Sequence, residues 1–364
     1  MKIALIYEKF ISRGGLENYL YRFADQLIKN SHELVVITGE SDPETSRLPN
    51  TDIRLISRRS LSRFARGAEE LLPSLTVDAS IGFGRTVAHD LHRAGGGCHQ
   101  FYSDHVLHPL KRASRKNRTE LALERELYTS GKTRHFVVNS QMVAEQLQAA
   151  YSLSADRISV IPTAVDAKRF CPADSPQGRS ELRADVGEAP VFLFVSMNHR
   201  RKGLDALLQA WPMVPDAAQL WIVGAALSSR YRRAIKRERL EGRVREIVTP
   251  PNLTAYYQAA DFFIHPTLYD ACANTVLQSM ACGLPGIISE QDGARQFVDE
   301  GETGLLLPHP TDPDAIAARA LQMLLVPPEE RQRMANNARN KILQLTWPKH
   351  VAEWESLIGT ISSE

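Results

Sequence analysis

The chain has 364 residues, of which 43% are hydrophobic and 24% charged, with a formal net charge of +2. That length exceeds what one hydrophobic core usually serves, so two domains are expected, and the ordinary glycine and proline content excludes a disordered chain. A charge this close to neutral gives no overall case for nucleic acid, and the four scattered cysteines, without CxxC spacing, suggest neither a zinc site nor a disulfide framework.

Such cysteine usage fits a reducing compartment. Residues 1–10 (MKIALIYEKF) lack the long apolar core of a signal peptide, and no window approaches the length of a membrane span, so a cytoplasmic location is expected.

Residues 2–7 (KIALIY) predict a buried strand and 8–15 a loop. Residues 16–30 predict an amphipathic helix with Leu16, Tyr19, Leu20, Phe23, Ala24, Leu27 and Ile28 inward. A second strand at 33–38 (ELVVIT) completes a βαβ unit, which implies a parallel sheet. Gly14 and Gly15 fall where the loop enters the helix, so bare backbone N–H groups there could approach a phosphate or a sugar. A tight turn that needs positive φ explains the pair equally well, and it is not the GxGxxG fingerprint of a dinucleotide site. Further strands are expected at 78–82 and 135–139, the latter followed by Ser140 as N-cap of a helix to about residue 151.

Between those two strands, residues 91–99 (LHRAGGGCH) read as a loop through which something passes close to the backbone. His99 beside the glycines is either a polar contact, a proton-handling group or an ordinary surface residue. Within 158–170 (ISVIPTAVDAKRF) a strand runs into Pro162 and then a turn-like segment, and the polar stretch 171–187 that follows is the best candidate domain boundary.

The second half restarts the alternation, with strands at 191–195, 220–223, 244–248 and 261–265 separated by helical stretches. Arg200, Arg201 and Lys202 lie in the loop after its first strand, at the sheet edge where open α/β folds bind ligands, and their types suit an anion. After residue 265 comes an irregular loop holding Asp270, then a helix from Asn274 with Gln278 one turn inside, ended by Cys282-Gly283-Leu284-Pro285. A strand, a loop and a helix N-terminus in that order form an anion-binding corner. A surface loop with a capping Asp and a solvated Gln is the competing reading. Residues 314–345 are helical by pattern, and a last helix follows Thr346-Trp347-Pro348.

Basic residues gather at 54–66, 111–118 and 230–237. The first two clusters suit an anionic membrane or a phosphorylated acceptor, whereas the third, beside Glu238 and Glu241, reads as a solvated helix face.

Taken in order, Gly14-Gly15-Leu16-Glu17, VIPTAVDAKRF, Arg201-Lys202-Gly203, HPTLYDACANTVLQSMACGLP, GARQFVDEGETGLLL and the closing Thr346-Trp347 helix resemble the retaining glycosyltransferases of family 4 almost end to end. The RAGGGCH segment and the compact HRRKG loop look most like lipopolysaccharide-core glucosyltransferases. The resemblance implies a GT-B architecture: two facing Rossmann-like domains at 1–165 (acceptor side) and 166–345 (nucleotide sugar), with a helix at 346–364 crossing back to the first. It gives Arg201 and Lys202 the donor diphosphate, Asp270 the donor sugar, Gln278 the ribose, and Gly14, Gly15, Ala273, Asn274 and Thr275 further donor contacts. His99 is the candidate contact to the acceptor or the reacting sugar. No metal and no cofactor beyond a nucleotide sugar, UDP-linked by expectation, is implied.

Three positions depart from the family's pattern. Asp270 and Gln278 stand where the family usually has Glu, and Gly96 stands where close relatives carry an Asp in the RAG-x-G segment. The expectation is a metal-independent, retaining transfer of a hexose, glucose-like, to a lipopolysaccharide or other surface glycan, in the cytoplasm and with peripheral contact to an anionic membrane. The alternative is a catalytically weakened GT-B protein that binds nucleotide sugar or glycan as a partner.

Overall fold

The structure, a computed structural model, describes residues 1–12, 14–175 and 177–362; residues 363 and 364 of the expected closing segment fall outside them. The chain divides into two units, Met1–Pro162 joined by the segment from Trp347 onward, and Thr163–Thr346.

The first unit alternates strands and helices. In chain order they are β1 (Lys2–Ile6), α1 (Gly15–Lys29), β2 (Glu33–Thr38), β3 (Thr51–Leu55), α2 (Leu61–Leu71), β4 (Ala79–Phe83), β5 (His89–Arg93), α3 (His99–His105), α4 (Pro109–Arg112), α5 (Arg115–Thr129), β6 (Thr133–Val138), α6 (Gln141–Tyr151) and β7 (Ile158–Val160). The seven strands form one sheet in the order β3-β2-β1-β4-β5-β6-β7, parallel at every pairing. The near-continuous apolar run of β1 follows from a strand covered on both faces. Helix α1 buries Tyr19, Leu20, Phe23, Ala24 and Leu27 against that sheet, the stripe expected from its period.

The second unit repeats the plan with α7 (Gln177–Leu182), β8 (Val191–Ser196), α8 (Leu204–Ala210), β9 (Gln219–Gly224), α9 (Ser229–Arg237), β10 (Val244–Val248), α10 (Leu253–Ala259), β11 (Phe262–His265), α11 (Asn274–Ala281), β12 (Gly286–Ser289), β13 (Gly304–Leu307), α12 (Pro313–Leu325) and α13 (Pro328–Ile342). Its six parallel strands run β10-β9-β8-β11-β12-β13. Strand β8 lies between β9 and β11, so chain order reverses there, and the loops leaving β8 and β11 flank the switch point where such sheets take ligands. Finally α14 (Trp347–Ser362) packs on α1, with Trp354 and Phe23 ring centroids 5.3 Å apart.

Several expectations shift. Residues 89–93 are a strand, β5, and His99 opens α3, so only residues 94–98 of the 91–99 stretch are a loop. The polar segment 171–187 carries α7, and the units divide at Pro162 instead. His350 secures that point. Its Nδ1 donates to the Pro162 carbonyl at 2.8 Å, and its Nε2 accepts from the Tyr19 hydroxyl at 2.7 Å.

Candidate active site

The loop after β8 and the loop after β11 are sewn together in the second unit. Leu268 N donates to the Arg201 carbonyl at 2.8 Å, and the Thr267 hydroxyl reaches the same oxygen at 3.1 Å. Gly203 makes the approach possible. Its φ is +83°, and a Cβ there would lie 1.9 Å from the Pro266 carbonyl oxygen. The far side of the second loop is pinned as well, with Asp270 N donating to Gln291 O at 3.0 Å and Gly293 N to Asp270 O at 2.9 Å.

This packing brings three of the expected residues into one ion cluster. Lys202 Nζ stands 2.6 Å from Asp270 Oδ2, and Arg201 Nη1 stands 3.0 Å from the same oxygen. Lys202 is only 7% exposed, whereas the Arg201 side chain remains about a third open. Burial pushes the Asp270 carboxyl up, but the charges of Lys202 and Arg201 outweigh it and hold the group below the usual carboxylate range. Asp270 is therefore an anion at neutral pH, held between two cations.

Behind Lys202 lie two residues that the sequence reading left unassigned. His265 Nε2 is 3.1 Å from Lys202 Nζ and 3.2 Å from Asp292 Oδ2. Desolvation, then the Lys202 charge, lowers the His265 pKa, so the ring is neutral and Nε2 accepts from the ammonium. Asp292 spends its other oxygen on the N–H groups of Ala273 and Ala294, at 3.0 and 2.8 Å, and so fixes the start of α11. His265 opens the HPTLYD stretch and Asp292 immediately precedes GARQF, but neither burial nor pairing is visible there.

Helix α11 begins at Asn274 after Ala273 as N-cap, without a capping side chain. Its first N–H groups have no intrahelical acceptor, and the Thr275 hydroxyl is buried without a hydrogen-bond partner among the described residues. Gln278 points its carbonyl oxygen at the Tyr257 hydroxyl, 3.2 Å away. The corner thus offers two cations, a helix N-terminus and an unused hydroxyl, a set suited to phosphate oxygens.

His265, Asp270 and Asp292 present ligand atoms within 4.8 Å of one another, a grouping that could hold a metal ion. Lys202 Nζ already touches the Asp270 and His265 atoms of that set, so the chain's own ammonium takes the cation position.

The remaining expected residues belong to the first unit. Gly14 caps α1 with φ 112°, where a Cβ would come within 2.3 Å of the Glu17 carboxylate, and Gly15 is the first helical residue. His99 opens α3, with Nε2 2.8 Å from Asn117 Oδ1 and 3.2 Å from a Glu120 carboxylate oxygen. The N–H groups of His99 and Gln100 both donate to the fully buried Glu124 carboxylate, which also accepts from the Tyr151 hydroxyl at 2.7 Å. Nothing in the sequence pattern of α5 singled out Glu124.

Two family descriptions match the chain: Glycosyltransferase Family 4 over residues 13–169, and Glycosyl transferases group 1 over residues 189–325. The lipopolysaccharide glucosyltransferase WaaG of Escherichia coli K12 is 20% identical over 93% of this chain and 94% of its own length. A D-inositol 3-phosphate glycosyltransferase of Xylanimonas cellulosilytica is 30% identical over 59% of this chain and 54% of that enzyme. Among solved structures, that of WaaG superposes with a TM-score of 0.82 at 18% identity, covering 98% of this chain and 99% of WaaG. Anabaena HepE in complex with UDP and glucose gives 0.77 at 17% identity, with 99% of this chain and 100% of HepE covered. Two parallel-sheet Rossmann-like units, both family descriptions and an end-to-end relative make this chain a GT-B glycosyltransferase that belongs to family 4.

Proposed function

We propose that the protein transfers a hexose, glucose-like and carried on UDP, to a lipopolysaccharide or other surface-glycan acceptor, with retention of configuration and without a metal. The observation that carries this reading is the Lys202–Asp270–Arg201 cluster beside the start of α11. In support, HepE has been solved with UDP-glucose, and WaaG is a glucosyltransferase of lipopolysaccharide.

In this mechanism Arg201 and Lys202 bind the diphosphate and stabilise the negative charge that grows on it as the glycosidic bond breaks. The N–H groups at Asn274 and Thr275 and the Thr275 hydroxyl take further phosphate or sugar oxygens. In the first unit, Gly15 at the turn presents its backbone N–H with open space where a Cβ would stand, while the Glu17 carboxylate lies against Gly14. Asp270 receives donor-sugar hydroxyls while its charge is balanced by the two cations. So engaged, it is poorly placed as a nucleophile. Transfer on one face of the sugar, with the leaving phosphate taking the acceptor's proton, then accounts for retention without a second carboxylate. His99 keeps the part of an acceptor contact. Incubation with UDP-hexoses and a glycan acceptor in the presence of chelator, with the anomeric configuration of the product read by NMR, tests the reading; a metal requirement or an inverted product overturns it.

We place a peripheral membrane contact at the second basic cluster. Arg54, Arg58 and Arg66 of the first cluster are paired with Asp52, Glu40 and Glu126. Lys111, Arg115 and Arg118 are exposed, with no acidic partner among the described residues, and Leu110 beside them is 80% exposed. No helix of the described residues is long and apolar enough to cross a membrane.

A further inference from the structure

At the opposite edge of the second unit's sheet lies a cavity of about 420 Å³. Asp261 and Pro285, which precede β11 and β12, form part of its wall, so it opens at the amino ends of the strands whose carboxyl ends carry the donor corner. One face of α13 supplies Arg331, Gln332, Asn336 and Arg339 to the lining, spaced by one and two helical turns.

Part of the positive charge of this lining has no acidic partner among the described residues. Arg179 is spoken for: it binds Asp261 and three backbone carbonyls. Arg331 has only a carbonyl contact to Val326 at 3.4 Å and the Phe262 ring at 5.1 Å, and its Nε is buried with no partner among the described residues. Among the described residues Arg339 meets only the carbonyls of Ala281 and Phe170. The Asp261 carboxylate in the wall is engaged by Arg179 and Arg183, so the two half-buried guanidiniums of Arg331 and Arg339 face the cavity without a carboxylate of their own and keep donors unspent. An orphaned buried Nε on one of them is a group whose partner is a ligand.

We infer that this cavity binds a phosphate monoester of sugar size, held between Arg331 and Arg339 and separate from the donor corner. A monoester carries close to two negative charges at neutral pH, matching the two unpaired cations, and guanidinium forks suit its oxygens. The volume lies in the range of small-molecule sites, and the Gln332 and Asn336 amides are placed for hydroxyl groups.

Calorimetric titration of inorganic phosphate, a hexose phosphate and a nucleoside monophosphate into the full chain tests the inference, alongside Lys202→Ala, Arg331→Gln and Gln332→Glu variants whose melting is checked. An organic ester binds more tightly than inorganic phosphate, and the better of the two esters names the source. Its affinity survives Lys202→Ala and falls about tenfold or more in Arg331→Gln, the loss of a charge-assisted contact. Gln332 is exposed, so Gln332→Glu adds a repelling carboxylate to the lining without disturbing the core, and it weakens binding as well. No binding of any of the three probes overturns the inference. So does binding that Lys202→Ala abolishes while Arg331→Gln leaves it intact, which would return the anion to the donor corner.

Discussion

Lys202 Nζ and Asp270 Oδ2 stand 2.6 Å apart in a nearly closed corner, and the 3.1 Å contact to His265 fixes the ammonium from behind. Lys202→Ala removes the cation aimed at the leaving phosphate. Turnover with the donor is expected to fall by about 10²–10³, the scale of losing one preorganised electrostatic contact. Steady-state rates at saturating donor check this.

Asp270→Asn frees Arg201 and Lys202 from their acid while keeping the side chain's shape. Affinity for free UDP is expected to rise several-fold, because the diphosphate no longer competes with a carboxylate, and turnover is expected to drop as the sugar loses its anchor. Calorimetry with UDP beside the kinetic assay separates the two effects. Weaker UDP binding together with unchanged turnover would remove Asp270 from the proposed mechanism.

Gly203→Ala places a methyl group against the Pro266 carbonyl at a positive-φ position. It is expected to destabilise the protein by about 2–4 kcal/mol, from backbone strain and the forced separation of the two loops. Gly96 is the contrasting case: a Cβ there meets nothing within 4 Å. Gly96→Asp is therefore expected to melt within about a degree of the parent. Thermal denaturation of both variants checks the pair.

The fold was largely legible because its signals are local. Residues 33–38 and 244–248 are strands over the same bounds that their apolar runs predict, and Ser140 caps α6 as expected, its hydroxyl accepting from Val143 N. What escaped was written in weaker local terms. Strand β3 is half exposed and carries Asp52 and Arg54, and α5 is so polar that no apolar stripe announces it. The candidate site divides in the same way. Arg201 and Lys202 follow from a loop at a sheet's carboxyl edge, whereas His265, Asp292 and Glu124 gain their meaning only from burial and from partners distant in sequence.

Acid sensitivity follows from buried histidines. Burial pushes His89 down to about 3, and burial with the nearby Arg93 charge does the same to His350. Both rings are neutral when folded and gain protons when unfolded below about pH 6.5. Their folded pKa values are depressed, so the unfolded chain binds more protons and stability is lost as pH falls from about 6.5 toward 3. Each contributes a slope of about 1.4 kcal/mol per pH unit. Urea unfolding at pH 7, 6 and 5 is expected to show the decline, with His350→Gln reducing its slope by one such step.

Replacing Lys111, Arg115 and Arg118 by Gln removes three free cations beside Leu110. Each is worth about 1 kcal/mol at an anionic bilayer, so binding to anionic vesicles is expected to weaken by about two orders of magnitude or more, while neutral vesicles show no change. Vesicle sedimentation at fixed ionic strength makes the comparison.

The central claim is that Lys202 and Arg201 form a metal-independent donor-phosphate site. It is tested most directly by measuring binding and slow hydrolysis across UDP-, GDP- and ADP-sugars in the presence of chelator, for the wild-type chain and Lys202→Ala. The account predicts that one UDP-hexose is bound and hydrolysed and that Lys202→Ala loses the turnover. Binding to none of the donors, or equal turnover in the variant, would contradict it.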